Sequence, residues 1–279
     1  MTQLFRYFSK TIFYSIEIFY IFLINTLNKN SFYIISPRLI SFIIKKVIIY
    51  NKRDNFFFTQ KVRNFFDINT VHQIFGYEEY NLNNINAWKK KLGHYSKKFR
   101  SKLLIVDCGS NIGSSSRYFS EIFKGSKVVS IEPDKKNFYF SKQNVNLSNT
   151  IILNKAVGSS NFKYKLNNKF DPRAHQVIKD KNKNKNKNKT ITVNHLLKNY
   201  KKMNPFIIKI DIEGFEENLF KKNIDWMSKF KIIIIEIHDW MIPSKSISGN
   251  FINALAKISK KNKRDLIIQG ENLISIRIK

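Results

Sequence analysis

The stretch Leu103-Leu-Ile-Val-Asp-Cys-Gly-Ser-Asn-Ile-Gly113 leaves this chain few architectures to choose from. Four consecutive apolar residues, two of them β-branched, read as a buried strand. The chain then turns through Asp107-Cys-Gly109-Ser-Asn111-Ile-Gly113 into a polar helix start at Ser114-Ser-Ser-Arg117. Gly109 and Gly113 let the backbone take positive φ or come close to a ligand, and the helix after them opens with unpaired N–H groups. A second strand, Lys127-Val-Val-Ser-Ile131, ends in Glu132, which stands 25 positions after Asp107. An open α/β sheet sets an acid against a ribose roughly 20 residues beyond its glycine turn.

That pattern alone also fits a nicotinamide enzyme, and the loop residues argue against it. A dinucleotide loop carries glycine where backbone approaches the pyrophosphate, and here that position is Asn111. Asp107, an acid at the tip of the first strand, further disfavours a phosphate-laden ligand and favours a cationic or hydroxyl-bearing one. S-adenosylmethionine, a sulfonium with a ribose and a free amine, suits these residues better.

Further motifs follow in order: Ile131-Glu132-Pro133-Asp134 with Asn137-Phe138, Asn144-Val145, Ala156-Val157-Gly158, and Ile208-Lys-Ile-Asp211-Ile-Glu213-Gly214-Phe-Glu216. Together with Asp107-x-Gly109-x-Asn111-x-Gly113, this series resembles the FkbM family of S-adenosylmethionine-dependent methyltransferases over residues 101–238. The Asp211-Ile-Glu213-Gly214-Phe-Glu216 string is its most discriminating part. The resemblance implies a Rossmann-like class I methyltransferase sheet, mostly parallel, with an antiparallel hairpin at its C-terminal end. It also implies S-adenosyl-L-methionine as cofactor, with Glu132 on the ribose, Gly109 to Gly113 around the methionine moiety and Ala156 near the adenine. Family members carry aspartate where this chain has His195, which therefore inherits no role.

Strand and helix signals alternate from residue 101 onward, as a parallel sheet covered on both faces requires. Strands are expected at 103–107, 127–131, 150–154, 205–210 and 231–238, with helices at 114–123, 135–147 and 249–262. Short β-like pieces at 162–166 and 190–193 flank a loop that contains Arg173 and His175, both weak candidates for acceptor contact. The Lys/Asn tract at 181–189 has no apolar residue to bury and reads as a disordered loop. The last strands, 265–269 and 273–279, read as a hairpin about Gly270.

Residues 1–100 form an apolar, basic extension, expected to be mainly helical, ahead of a methyltransferase domain at 101–279. Ile12 to Ile24 spans 13 residues and includes Glu17, short of the roughly 20 apolar residues of a membrane span, and no small-residue cleavage site follows it. A second apolar run, Leu39 to Tyr50, is broken by Lys45 and Lys46. Two such segments suit either contact with an anionic membrane surface or helices packed on a domain or partner chain. Phe56-Phe-Phe58 and Phe65-Phe66 are expected as core aromatics.

The 279 residues carry one cysteine, Cys108, which fits a packed thiol in a reducing cytoplasm. The formal charge of +30 invites nucleic acid or anionic membrane as a partner. The excess of Lys, Asn, Ile and Phe also matches nucleotide bias toward A and T, and no RNA-recognition module or zinc-ligand set accompanies the charge. Nucleic acid is therefore the weaker partner, and oligomeric state is not legible.

Strands ending at Asp107, Asp211 and Glu236 should bring those acids, with Glu213 and His238, into one crevice at their carboxyl ends. His238 is the candidate general base by intrinsic pKa, with Asp211 and Glu236 orienting it or sharing the task. Two alternatives stay open: Asp211, Glu213, Glu236 and His238 hold a hard divalent ion, or Glu213 and Glu216 cap a helix and pair with Lys209. Trp240 and Met241 are candidates for lining an acceptor pocket. The expected function is O-methylation of a hydroxyl on a glycan, lipid-linked sugar or secondary metabolite, in the cytoplasm, peripheral to the membrane's inner face. The competing readings are a nucleic-acid methyltransferase and a non-catalytic, membrane-associated binding protein.

Overall fold

The computed structural model describes residues 30–145, 147–171, 174–180, 188–241 and 244–278. The first apolar run at 12–24, Arg173 and most of the Lys/Asn tract lie outside the described residues. The chain divides into two compact units between Tyr80 and Asn81.

The first unit is built on an antiparallel sheet of β1 (Phe32–Ile34), β2 (Lys46–Asn51) and β3 (Phe56–Lys61) in that spatial order. Helices α1 (Arg38–Ile44) and α2 (Phe65–Val71) accompany it, the latter running into a π-helical turn at His72–Gly76. The run from Leu39 to Tyr50 thus divides between a helix and a strand. Lys45 takes a left-handed conformation, φ 56°, and returns its N–H to the Ser41 carbonyl. The β-branched Val47, Ile48 and Ile49 that follow favour the extended chain. Period-two burial turns Val47 and Ile49 inward, and Phe58 meets Phe32 and Phe75 edge-on. Phe57, Phe65 and Phe66 depart from expectation: all three are exposed. Among the described residues of this unit, three strands stand beside two α-helices and one π-helical turn, a sheet that the apolar runs broken by lysine do not announce.

The second unit carries the expected α/β alternation. A π-helical turn at Trp88–Leu92 leads into α3 (Gly93–Lys98), and Trp88 and Tyr95 stack about Phe206. This packing explains why residues 81–100 group with the larger unit instead of the extension. Strands β4 (Leu103–Cys108), β5 (Lys127–Ile131) and β6 (Thr150–Leu153) alternate with α4 (Ser114–Ile122) and α5 (Lys135–Asn144). A hairpin of β7 (Tyr164–Asp171) and β8 (Ala174–Lys179) precedes α6 (Val193–Asn199). Then come β9 (Asn204–Ile210), α7 (Glu216–Phe220), β10 (Ile232–Glu236), α8 (Gly249–Ser259), β11 (Arg264–Gln269) and β12 (Asn272–Arg277).

Seven of these strands form one sheet, ordered β6-β5-β4-β9-β10-β12-β11. All pairs are parallel except those of β12, which runs antiparallel to both β10 and β11. β4 is buried at every residue, as are the last five residues of β9 and the first four of β10, which accounts for their unbroken apolar runs. The piece read as a strand at 190–193 supplies only a bridge, Ile191 with Val157, before α6 begins behind the Thr192 cap. The His195 N–H donates to Thr192 Oγ1 in that cap, and the residue is exposed. Among the described residues no helix is long and apolar enough to cross a membrane.

Candidate active site

The glycine loop is shaped by close approach of two strand ends. Gly109 has φ 81°, and a Cβ placed on it would lie 1.6 Å from the Asp211 carbonyl oxygen. Only glycine lets the chain leaving β4 pass so near the chain leaving β9. The N–H groups of Gly109 and Ser110 both donate to the Ile131 carbonyl, at 2.9 and 3.2 Å, which ties the loop to β5. Gly113, φ 89°, begins α4, and a side chain there would strike Val145 at 2.6 Å.

A cavity opens where these strand ends meet, lined by Gly109, Asn111, Glu132, Ala156, Asp211 and Glu213 among others. The Glu132 carboxylate accepts the N–H of Asn111 through one oxygen and of Asp134 through the other, both at 2.8 Å. A carboxylate has about four lone-pair directions, so two remain for ligand hydroxyls. Burial raises the Glu132 carboxyl to about 8, against the pull of those two N–H donors. Ala156, also buried, lines the same cavity. These residues fit a ribose-bearing ligand: a buried acceptor at the second strand tip, and a backbone cradle that a Cβ would fill at the first.

Asp107 and Gly113 are placed differently from expectation, since neither lines the cavity. Asp107 is wholly buried behind the loop, where it accepts from Ser115 Oγ at 2.6 Å and Ser116 Oγ at 2.5 Å. Lys209 stands 3.6 Å from its other oxygen. The carboxylate thus anchors the start of α4 to β4 and is out of a ligand's reach. Gly113 serves the turn and its packing on α5.

At the cavity's edge an acidic cluster gathers around one imidazole. His238 is 1 % exposed; its Nδ1 pairs with Glu216 Oε1 at 2.9 Å, while Nε2 faces Glu236 at 3.4 Å, Asp211 at 3.6 Å and Glu213 at 3.7 Å. Burial lowers the imidazole's pKa, but the Glu216 and Glu236 carboxylates beside it and the charge of Asp211 outweigh that and raise it to about 11. The surrounding carboxylates thus favour the protonated imidazole over the neutral one. Glu213 is raised to about 7 by burial and by the Asp211 charge, and Glu236 is also raised by burial, which makes both stronger proton acceptors than an ordinary carboxylate. Trp240 is 68 % exposed and stands 6.4 Å from the His238 ring, outside the cavity. Cys108 is buried, which pushes its thiol up and fits an inert packed residue.

One of the open alternatives pairs Lys209 with Glu213 and Glu216, but Lys209 turns to other partners. Its ammonium donates to the Gly109 carbonyl at 2.9 Å and to Asp211 Oδ2 at 3.0 Å, with the side chain 3 % exposed. The available signal was a single cation inside Phe206-Ile-Ile-Lys209-Ile, two residues before Asp211 and on the same face. Phe215 and Val177, which also line the cavity, carried no local signal of their own.

A seven-stranded, mostly parallel sheet with an antiparallel penultimate strand, and a ribose-type acid beside a glycine loop, define a Rossmann-like S-adenosylmethionine-dependent methyltransferase. The chain matches the methyltransferase FkbM domain over residues 107–262, more than half its length, and belongs to that family. No curated protein matches it in sequence. Solved structures similar to it include an O-methyltransferase from Bacillus cereus in complex with S-adenosylhomocysteine, at 12% identity over 76% of this chain and 90% of that one, TM-score 0.36. A precorrin-6y C5,15-methyltransferase from Geobacter metallireducens shows 13% identity over 67% and 90%, TM-score 0.35. Fibrillarin from Aeropyrum pernix with natively bound S-adenosyl-L-methionine shows 9% identity over 69% and 76%, TM-score 0.35.

Gly109→Ala should abolish S-adenosylhomocysteine binding in calorimetry, because the new methyl group must displace the Asp211 carbonyl; retained affinity would place the cofactor elsewhere. Glu132→Gln should lower that affinity at least tenfold and change the pH dependence of stability. With its folded pKa above the ordinary value of 4.5, the carboxyl's contribution is complete below about pH 4.5 and lost as pH rises through about 8. The thermal-melt gap between wild type and Glu132→Gln should therefore narrow from pH 5 to pH 9, and a gap that widens contradicts this placement.

Proposed function

We propose that this methyltransferase transfers a methyl group to a hydroxyl of a glycan, lipid-linked sugar or secondary metabolite. The observation that carries the reading is the sharing of Asp211 and Glu213 between the cofactor cavity and the acidic cluster, which sets proton acceptors directly beside the expected methyl donor. S-adenosylmethionine, when bound, supplies an electrophilic methyl group whose sulfonium becomes a neutral thioether on transfer. An alcohol acceptor must lose its proton as the new O–C bond forms, and a carboxylate of Glu236 or Glu213 takes it. Asp211 is fixed by Lys209 and stands beside His238 Nε2, which keeps the cluster in register with the cavity. Positioning by these groups and exclusion of water by Phe215 and Val177 supply the rest. The exposed Trp240 beside the cluster offers a flat apolar face of the kind on which a sugar ring rests.

A labelled-methyl assay against envelope glycans and lipid extracts tests the acceptor class. Glu236→Gln should reduce turnover by about 10²-fold or more, in the range of a lost general base, while S-adenosylhomocysteine affinity stays within about twofold. Label in nucleic acid but in no glycan or lipid fraction would overturn the acceptor class.

The preferred location is the anionic inner face of the cytoplasmic membrane. The support is a cluster of exposed apolar side chains on the first unit, Ile40, Ile43, Phe65 and Phe66, with Phe42 stacked on Phe65 at 4.5 Å and Lys45 over the Phe42 ring at 3.8 Å. The protein should float with phosphatidylglycerol vesicles, and Ile43→Glu with Phe66→Glu should release it. Equal flotation of wild type and this variant excludes the patch as the contact.

A further inference from the structure

Four side chains around His238 have an arrangement that proton transfer alone does not account for. The imidazole is nearly wholly buried, and Glu216, itself 1 % exposed, holds its Nδ1 at 2.9 Å. Nε2 is thereby aimed at a gap bounded by oxygens of Glu236, Asp211 and Glu213 at 3.4, 3.6 and 3.7 Å. None of the three is at ordinary N–H···O distance, about 2.7–3.2 Å, although all converge on the one nitrogen. A carboxylate fixing the far nitrogen of an imidazole whose near nitrogen faces other donors is the usual outer support of a metal-bound histidine. One further oxygen, Glu216 Oε2, is buried without a hydrogen-bond partner.

We propose that Asp211, Glu213 and His238, with Glu236 as a fourth donor, bind a hard divalent cation of the Mg²⁺ or Mn²⁺ type. One donor atom from each of Asp211, Glu213 and His238 falls within 4.8 Å of the others. For metal–oxygen bonds of about 2.0–2.1 Å, adjacent ligands of an octahedron lie about 3 Å apart and opposite ones about 4 Å apart. The observed separations from Nε2 fall inside that interval, so small side-chain shifts close the shell. Oxygen-rich donor sets select hard cations, and the single imidazole favours Mn²⁺ among them. Remaining coordination positions open toward the cavity through Asp211 and Glu213, which line it, and are available to an acceptor hydroxyl. The ion's role in catalysis rests on the methyl-transfer reading above, whereas its binding does not.

The test uses the full chain, first stripped with chelator, and Mn²⁺ as the probe, followed by electron paramagnetic resonance and calorimetry with S-adenosylhomocysteine titrated in parallel. The expected result is one Mn²⁺ per chain, displaced by excess Mg²⁺, with affinity at least tenfold weaker in Glu213→Gln and in His238→Gln. Glu213 is half-buried at the surface, so its variant keeps the experiment decisive if the His238 variant does not fold. Absence of Mn²⁺ binding in a wild-type protein that still binds S-adenosylhomocysteine overturns the metal site and leaves the methyltransferase reading intact. Mn²⁺ binding that Glu213→Gln does not weaken places the ion elsewhere and overturns it equally. Loss of S-adenosylhomocysteine binding alone, with the Mn²⁺ site present, counts against the cofactor reading instead.

Discussion

The buried ammonium of Lys209 joins the parts on which this site depends. From the end of β9 it reaches the Gly109 carbonyl and Asp211, and it stands within 3.6 Å of Asp107. Two strand tips that would otherwise repel one another, each ending in an acid, are thereby held side by side. A lysine so deeply buried is tolerable only with such partners, and removing one member of a buried ion pair typically costs about 3–5 kcal/mol. The same contact fixes the glycine loop, since its carbonyl acceptor is the residue whose missing Cβ lets the Asp211 carbonyl approach.

Around that anchor the sheet order does the rest. β4 lies between β5 and β9, so the Glu132 tip falls on one side of the glycine loop and the Asp211 tip on the other. β10 adds Glu236 and, just beyond its end, His238. Ligand crevices in open α/β sheets form where strand order reverses, and here Glu132 and two acids of the carboxylate cluster, Asp211 and Glu213, line one cavity. The cluster in turn relies on Glu216, buried in the first turn of α7, which bonds both the Ile212 N–H and His238. The helix after the Asp211-Ile-Glu213-Gly214 turn is therefore a support for the imidazole as well as packing for β9 and β10.

Much of this was readable in one dimension. The strand at 103–108, the glycine turn, Glu132 at the tip of β5, the isoleucine run of β10 and the final hairpin about Gly270 all announce themselves by local periodicity or turn chemistry. Asp107 was misplaced because its position at a strand end looks the same in sequence whether the carboxylate turns toward a ligand or back toward Ser115 and Ser116. The division of residues 39–50 at Lys45 was hidden because an apolar run with two lysines satisfies helix and strand patterns about equally.

Sequence by itself determined the alternation of elements, the glycines that permit positive φ, and the set of acids near the strand ends, since these follow from side-chain period and backbone sterics within a few residues. Tertiary structure decided which of those acids meet the cavity and which carboxylates surround His238. Those outcomes depend on burial and on partners up to 100 positions apart, as between Lys209 and Gly109, and no local pattern encodes such distances.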